Sequence, residues 1–363
     1  MFTKDEKAII WLDIFDNLTI KRKYELLNMY ASPKELFANF KNDFNKVKSI
    51  LEADEFNKMA YALDENFIDK QIFEYEKIKV SLVTLFSKEY PNLLKETATP
   101  PLVLYCRGDL SLLNSECLAV VGTRRATRYG KKVTESFVKE LALNGFTIVS
   151  GLADGIDTIA HRTALENGGK TIAVLGGGVD QIYPYANVGL SREVVAKGLL
   201  ISEYKPDQKP AGFHFPVRNR IIAGISKGVL ITEAGEKSGS MHTKEYAIEA
   251  GRDLFVVPGN IDSTASAGCN QIIKSLQGAM VTSADDILEN YGKTNSYKGV
   301  LSRPSLQLTM DEQIIINIIG NEECHYDELL EKTNFDTKTL NSLLTTMQVR
   351  GIIKKLPGNL YEV

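Results

Sequence analysis

The sequence predicts an α/β fold in which a mainly parallel, doubly wound sheet carries helices on both faces. From Pro101 onward, short β-branched runs alternate with glycine-rich turns and with segments of helical periodicity. Each helical segment has about the length of the crossover that parallel strands require. The six predicted strands are Leu118–Val121, Thr147–Val149, Thr171–Leu175, Leu199–Ile201, Gly228–Ile231 and Asp253–Val257.

Helices are predicted between and after these strands from their apolar spacing and their flanking turn residues. They are Thr127–Leu143, Ile156–Glu166, Leu190–Ala196, Met241–Ala250 and Cys269–Leu276. In an open parallel sheet, ligands bind at the carboxyl ends of the strands. The loops that follow the strands are therefore the expected ligand site.

The sheet domain is predicted to cover residues 85–292 and to be preceded by a small helical domain at residues 1–80. Residues 1–80 contain no glycine, and apolar spacing such as that of Leu26, Leu27 and Tyr30 predicts short helices.

The sheet domain is followed by a predicted linker and a predicted winged-helix domain. Residues 293–304 have linker composition, and residues 305–363 form the last domain. Within that domain, three helices precede two short strands that meet at Pro357-Gly358, the pattern of a winged helix. The three predicted helices are Gln313–Ile319, Tyr326–Thr333 and Thr337–Arg350.

The composition argues against several classes of protein. The four cysteines, Cys106, Cys117, Cys269 and Cys324, form no C-x-x-C pair, so neither a disulfide framework nor a metal site is predicted. The net charge of −3 does not by itself predict nucleic-acid binding. No apolar run has the length of a membrane span and the N-terminus carries no signal core, so a cytoplasmic protein without a membrane partner is expected.

The most distinctive run is Phe213-His-Phe-Pro-Val-Arg-Asn-Arg-Ile-Ile-Ala-Gly224. It places Arg218, Asn219 and Arg220 directly ahead of an apolar helical start, with Pro216 setting the direction of the chain. Guanidinium groups donate forked hydrogen bonds, which suit an anionic ligand better than a packed core. The run is interpreted as a binding element.

A second group of arginines follows the first predicted strand, in Gly122-Thr-Arg-Arg-Ala-Thr-Arg-Tyr-Gly130. Gly122 allows the backbone to approach a ligand, and Arg124, Arg125 and Arg128 supply positive charge. The alternative is a surface loop whose arginines pair with acidic residues.

The loop Ser150-Gly-Leu-Ala-Asp-Gly-Ile-Asp157 opens a predicted helix whose free N–H groups favour an anion. Asp157 is either a capping carboxylate or part of the ligand site. His161 has no histidine or cysteine at ligand spacing, so a hydrogen-bonded structural role is favoured.

The loop after the third predicted strand contains three consecutive glycines but lacks the G-x-G-x-x-G dinucleotide pattern, because Gln181 occupies the last glycine position. Tyr183 and Tyr185 flank Pro184, and each either stacks on a base or packs against the protein. The P-loop pattern is absent, so ATP hydrolysis is not predicted.

Two further loops contribute polar groups but no catalytic set. The segment Ser238-Gly-Ser240 either holds a phosphate or serves only as a helix cap. Glu233 is a lone carboxylate, and neither a Ser-His-Asp nor a Cys-His arrangement is evident. Arginines, hydroxyls and N–H groups at one edge of a sheet suit a polyanion such as single-stranded nucleic acid.

Together these motifs resemble the DprA family, also called Smf, of bacterial DNA-processing proteins. The resemblance spans roughly residues 85–290. The motifs that carry it are Val121-Gly-Thr-Arg124, Ser150–Asp157 with Ala160-His161, Gly176-Gly-Gly178 with Tyr183-Pro184, Phe215–Gly224, Ser238-Gly-Ser240 and Val257-Pro-Gly259.

The resemblance implies an extended Rossmann fold that binds single-stranded DNA, forms a homodimer and has neither cofactor nor enzymatic activity. It also implies loading of the recombinase RecA onto incoming DNA during natural transformation, with displacement of single-strand-binding protein. The residues expected to bind the strand are Gly122, Arg124, Arg125, Ser150, Gly151, Tyr185, Arg218, Asn219, Arg220, Lys237, Ser238, Gly239 and Ser240.

The flanking domains occupy the places of the family's SAM-like domain and winged helix. Residues 305–363 contain nine acidic and five basic residues, a balance that opposes duplex binding. A protein-contact or regulatory role is therefore expected for this domain.

The alternative function is that of a nucleotide-binding phosphoribohydrolase, whose active loop has the pattern P-G-G-x-G-T-x-x-E. With Ser240 at the threonine of that pattern, the glutamate position falls on Thr243. The catalytic carboxylate is then missing, so the chain is not expected to be an enzyme.

Overall fold

The computed structural model describes residues 2–15, 18–295, 308–320 and 323–362. The chain divides into two compact units, Met1–Tyr297 and Lys298–Val363, which are described separately. Most of the predicted linker, residues 296–304, lies outside the described residues.

The first unit begins with six helices, as residues 1–80 predict. Thr3, Thr19 and Ser32 each accept a hydrogen bond from the first turn of the helix that follows, which explains where three of these helices begin. The helices are α1 Lys4–Asp13, α2 Ile20–Asn28, α3 Pro33–Asn39, α4 Phe44–Val47, α5 Ala53–Tyr61 and α6 Glu65–Lys77.

The rest of this unit is an α/β domain around a sheet of nine strands in the described part of the chain. The strands are β1 Ser81–Thr84, β2 Val103–Gly108, β3 Cys117–Val121, β4 Thr147–Ser150, β5 Thr171–Val174, β6 Leu199–Ser202, β7 Gly228–Ile231, β8 Asp253–Val256 and β9 Ala279–Met280. The helices are α7 Asn92–Lys95, α8 Arg128–Leu143, α9 Ile156–Glu166, α10 Val188–Lys197, α11 His214–Ile225, α12 Ser240–Glu249, α13 Ala267–Lys274 and α14 Ala284–Asn290.

The strand order is β1-β2-β6-β5-β4-β3-β7-β8-β9, and the pairs from β6 to β9 are parallel. The chain winds outward in one direction from β3 and in the other from β7. The neighbouring ends of β3 and β7 are therefore the topological switch point, where doubly wound sheets bind ligands.

Both faces of the sheet are covered, as the prediction of a doubly wound sheet requires. Alternate residues of β3 face opposite layers: Leu118 and Val120 pack with α8, α9 and α14, whereas Ala119 and Val121 pack with α7, α11, α12 and α13. The six N-terminal helices share a core with β2, β5, β6 and α10. They are therefore packed directly against the sheet.

The second unit has the predicted three helices and hairpin. They are α15 Met310–Ile319, α16 Tyr326–Thr333, α17 Thr337–Val349, β11 Lys354–Leu356 and β12 Leu360–Glu362. A further short strand, β10 Cys324–His325, lies between α15 and α16. The strand order β10-β12-β11 forms a small antiparallel sheet, and Leu340, Leu344 and Met347 of α17 lie in the core of the unit.

The structure confirms the six predicted strands and the five predicted helices to within a few residues at their ends. The antiparallel pair β1–β2 and the short edge strand β9 are additional elements. One local prediction was wrong: Arg218, Asn219 and Arg220 do not precede a helix but lie in the middle of α11. Pro216 fits because it lies in the first turn, where a missing N–H is tolerated.

Within residues 2–15, 18–295, 308–320 and 323–362, no helix combines the length and the apolar character needed to cross a membrane.

Candidate functional site

An open cleft of about 1090 Å³ lies at the carboxyl ends of β3 and β7, at the switch point of the sheet. Residues 121–125 at the end of β3 and residues 235–240 after β7 line it, together with Phe215, Asn219 and Ile222 of α11. These three side chains occupy positions i, i+4 and i+7, which share one face of a helix. The cleft therefore lies between two loops and one face of α11.

The loop after β3 holds two arginines at the cleft. A Cβ atom on Gly122 would lie 2.6 Å from the Ile156 side chain and 2.7 Å from the Glu233 carbonyl oxygen, so only glycine fits this close approach. Arg124 and Arg125 are exposed, and no described carboxylate pairs with either. The guanidinium carbon of Arg124 lies 5.7 Å from the centre of the Phe215 ring.

Glu233, the carboxylate noted after Gly228–Ile231, stabilises the start of α8. It accepts hydrogen bonds from the backbone N–H and from the hydroxyl of Thr127, the residue that caps α8. Its side chain is buried and does not line the cleft. The group therefore has a capping role and is not placed for acid–base chemistry in the cleft.

The loop after β4 is held by two buried side chains. Asp157 accepts hydrogen bonds from the N–H groups of Gly151 and Ala153 at 3.0 and 3.4 Å. Burial raises the pKa of this carboxyl, whereas the Arg218 charge and the N–H donors lower it. Asp157 therefore holds the loop before α9 and does not cap a helix N-terminus, and it also lines the cleft.

His161 has the structural role that its isolation in the sequence favoured. Its Nε2 accepts a hydrogen bond from the Leu152 N–H at 3.3 Å, and its Nδ1 lies 2.7 Å from the Thr171 hydroxyl. Burial lowers the pKa of His161 to about 3, so the imidazole is neutral near pH 7. It anchors α9 to β5.

Arg218 is buried but reaches the cleft. Its Nη1 donates to the carbonyl oxygens of Gly151, at 2.7 Å, and Val174, and its Nε donates to the Asn219 side chain at 3.2 Å. Burial lowers the pKa of the Arg218 guanidinium to about 10, and Asp157 opposes that shift. The group remains charged at neutral pH and joins α11 to the ends of β4 and β5.

Three of the predicted binding residues lie outside the cleft, so the expectation of one pocket was wrong for them. Arg220 is buried and forms an ion pair with Glu203. Ser150 is buried and donates to the Val120 carbonyl oxygen at 2.7 Å. Tyr185 is exposed at the surface, whereas Tyr183 of the same loop lines the cleft.

The other predicted residues do meet at the cleft. Gly151 lines a small side pocket between Arg124 and Arg218. The Asn219 side chain donates to the Gly239 carbonyl oxygen at 3.3 Å, which joins α11 to the loop before α12. The cleft itself is lined by Gly122, Arg124, Arg125, Arg218, Asn219, Lys237, Ser238, Gly239 and Ser240.

Two aromatic residues complete the cleft. The rings of Tyr183 and Phe215 lie 5.5 Å apart, and both line the cleft and its side pocket. Phe215 was not predicted as a ligand contact, because residues 213–217 were expected to precede a helix. The signal that identifies it is its spacing of four residues from Asn219 along α11.

The charge balance of the cleft is positive. Arg124, Arg125, Arg218 and Lys237 contribute four positive charges, against two negative charges from Asp157 and Glu236. Among the described residues, no group of three or more histidine, cysteine, aspartate or glutamate side chains is arranged to hold a metal ion. The arrangement suits an anionic ligand that carries flat rings.

Comparisons with known proteins agree with the motifs. The family model described as DNA recombination-mediator protein A matches residues 81–292, and the one described as DprA winged helix domain matches residues 301–359. The chain is 41% identical over 223 residues to the DNA processing protein DprA of Bacillus subtilis, covering 61% of this chain and 74% of that protein. It is 36% identical over 299 residues to protein Smf of Escherichia coli, covering 80% and 79% respectively.

Solved structures lead to the same family. DNA processing protein A from Streptococcus pneumoniae is similar with a TM-score of 0.66 at 36% identity, covering 79% of this chain and 98% of that chain. A structure describing the single-stranded DNA binding mode of DNA processing protein A from Helicobacter pylori has a TM-score of 0.54 at 34% identity, covering 59% and 95%. The chain therefore belongs to the DprA/Smf family of DNA recombination mediators.

Proposed function

We propose that the cleft binds single-stranded DNA, with Arg124, Arg125 and Lys237 contacting phosphates. The observation that carries this proposal is that these three exposed cations line one cleft and pair with no described carboxylate. Unpaired cations remain available for phosphate oxygens, and phosphate contacts supply most of the affinity for a nucleic-acid backbone.

The aromatic groups of the cleft favour a single strand over a duplex. Tyr183 and Phe215 present rings beside Arg124, where the face of an unstacked base fits. In a duplex each base is already stacked on its neighbours and is not free to meet these rings. The Helicobacter pylori relative, whose solved structure describes a single-stranded DNA binding mode, supports the same assignment.

The remaining cleft residues hold the strand by their backbone and hydroxyl groups. Gly122 and Gly151 allow close approach, and Ser238-Gly-Ser240 offers hydroxyls at the start of α12. Ser150 and Arg220 are not assigned a DNA contact, because both are buried with protein partners. Tyr185 lies outside the cleft and is not assigned a contact within it.

A gel-shift titration with a labelled thymidine oligonucleotide and a duplex of equal length tests the assignment. We expect tighter binding of the single strand, and a binding constant that falls linearly with salt on logarithmic axes as counterions are released. Equal affinity for the duplex, or binding that is insensitive to salt, would contradict the proposal.

We infer that the recombination-mediator function consists of loading RecA onto the bound strand while displacing single-strand-binding protein. Membership of the family supports this step. The test measures the DNA-dependent ATPase activity of RecA on a strand coated with single-strand-binding protein. Addition of this chain should shorten the lag, and an unchanged lag would rule out loading.

We propose that the functional form is a homodimer that uses an apolar patch of Ile248, Leu276 and Met280. All three are exposed, Leu276 at 91%, and the hydrogen bond from Lys244 to Gln277 at 3.3 Å brings α12 beside the end of α13. Leu276 also has a positive φ of 55°, which is uncommon for a leucine. That conformation ends α13, because the Gln277 N–H donates to the Ile272 carbonyl oxygen at 3.2 Å, whereas the exposed apolar side chains are what favours a partner.

The substitution Leu276→Asn is expected to convert dimers into monomers, as measured by sedimentation equilibrium. Asparagine tolerates the left-handed conformation, so the fold is retained while the apolar contact is lost. The control is Tyr61→Asn, which replaces an equally exposed aromatic residue on the N-terminal helices. A dimer that survives Leu276→Asn, or a monomeric wild type, would exclude this patch.

The enzymatic alternative finds little support in the same geometry. Glu233 is engaged at the start of α8, and Thr243 occupies the position where the phosphoribohydrolase pattern has its glutamate. The binding of DNA therefore remains the better assignment.

A further inference from the structure

Arg220 and Glu203 form a buried ion pair beside the cleft but outside it. Arg220 is 9% exposed and extends from α11, and Glu203 lies directly after β6. Nη1 of Arg220 and Oε1 of Glu203 have no hydrogen-bond partner. A buried pair that leaves polar atoms unsatisfied contributes little net stability, since apolar residues of similar size often do as well.

The position of this pair on α11 suggests what it contributes. Consecutive residues of a helix point about 100° apart, so Arg218, Asn219 and Arg220 leave α11 in three directions. Asn219 faces the cleft, Arg218 holds the ends of β4 and β5, and Arg220 holds the end of β6. The helix is thus anchored on both sides of its cleft-facing stripe.

The N-terminal helices brace the Arg220 side. Asp13 of α1 accepts hydrogen bonds from Lys23 Nζ at 2.8 Å and from the Tyr105 hydroxyl at 3.0 Å. The charges of Asp13 and Lys23 both interact with the carboxylate of Glu203. Two positive and two negative buried charges therefore meet where α1 and α2 approach the end of β6.

We propose that Arg220 is a positioning residue of the DNA cleft: paired with Glu203, it holds α11 at the rotation that presents Phe215 and Asn219 to the strand. The N-terminal helices support this pair and thereby stabilise the cleft. The inference rests on the proposed single-stranded DNA binding.

The test compares Arg220→Met with the wild-type chain in three measurements: unfolding stability, affinity for the thymidine oligonucleotide, and the slope of affinity against salt. We expect the dissociation constant to rise by about three- to thirtyfold, the range for coupling through a packed network. The salt slope should not change, because no phosphate contact is removed.

A control for stability alone is Leu288→Ala in α14, which is buried on the opposite face of the sheet. It should lower unfolding stability and leave the dissociation constant unchanged. The conservative variant Arg220→Lys keeps a charge for Glu203, so its affinity should fall between those of the wild type and Arg220→Met. It also provides a measurement should the methionine variant fail to fold.

The possible outcomes separate the two proposals. If the slope of affinity against salt became shallower in Arg220→Met by the amount expected for one phosphate contact, Arg220 would be a direct phosphate contact. An affinity of Arg220→Met no lower than that of Leu288→Ala would make its role purely structural. Either result overturns the inference alone, whereas a wild-type chain that does not bind the oligonucleotide overturns the proposed function as well.

Discussion

Replacing Arg124 with alanine is expected to weaken binding of a thymidine oligonucleotide by about ten- to hundredfold, the effect of losing one or two charge-assisted hydrogen bonds. Arg124 is exposed in the cleft and pairs with no described carboxylate, so its full charge is available to a phosphate. Its contact with the Phe215 ring also orients the guanidinium beside the position of a base.

The same substitution should change the salt dependence of binding. Each phosphate contact on a single strand contributes a slope of about −0.7 on logarithmic axes, so the slope for Arg124→Ala should be shallower by about that amount. Fluorescence anisotropy at several salt concentrations measures both quantities.

The matched control for Arg124→Ala is Arg162→Ala, on the exposed face of α9. It removes the same charge from the same unit, but Arg162 does not line the cleft. Its affinity and salt slope should stay close to those of the wild type. If both variants lose affinity equally, the effect is one of net charge and the cleft assignment fails.

Replacing Arg218 with methionine is expected to lower the free energy of unfolding by about 3–5 kcal/mol, as when one partner of a buried charge pair is removed. Two buried carbonyl oxygens, those of Gly151 and Val174, lose their donor. Asp157 loses the positive charge that favours its ionised form. Chemical denaturation at neutral pH measures the loss.

The destabilisation should decrease as the pH falls. Burial already raises the pKa of Asp157 in the folded chain, and removal of Arg218 raises it further. A carboxyl with a raised folded-state pKa binds its proton more readily when folded, so stability increases as pH falls from that pKa toward the unfolded value near 4. The variant should therefore approach the wild type in mildly acidic buffer.

A second substitution separates charge from hydrogen bonding in this experiment. Adding Asp157→Asn to Arg218→Met removes the uncompensated carboxylate, so part of the lost stability should return at neutral pH and its pH dependence should disappear. A double variant less stable than Arg218→Met would show that Asp157 is held mainly by its N–H donors.

The strands and helices of the α/β unit were predictable because their signals are local. Runs such as Thr171–Val174 are apolar on both faces, and α9 shows helical spacing from Ile156 to Glu166. Strand β2 was not predicted, and neither were the edge strands β1 and β9, of which β9 has only two residues. The extended conformation of β1 and β9 depends on pairing with β2 and β8.

Part of the candidate site was also predicted from local signals in the sequence. Arg124, Arg125 and Ser238-Gly-Ser240 follow strand ends, and parallel strands bring such loops to one edge. Arg220 was assigned to the same edge because it is two residues from Arg218 in the sequence. In a helix that separation turns a side chain by about 200°, so the two arginines face different partners.

The sequence by itself determined the fold class, the order of the strands and helices, and the family, because hydrophobic periodicity and ordered motifs are properties of the chain. Only the tertiary structure decided which charges are available to a ligand. Arg220 meets Glu203 and Lys23 meets Asp13 across helices and strand ends, whereas Arg124 meets no described acid. Pairing depends on neighbours in space, and burial makes an unpaired charge costly, so the interior retains paired charges and the cleft retains free ones.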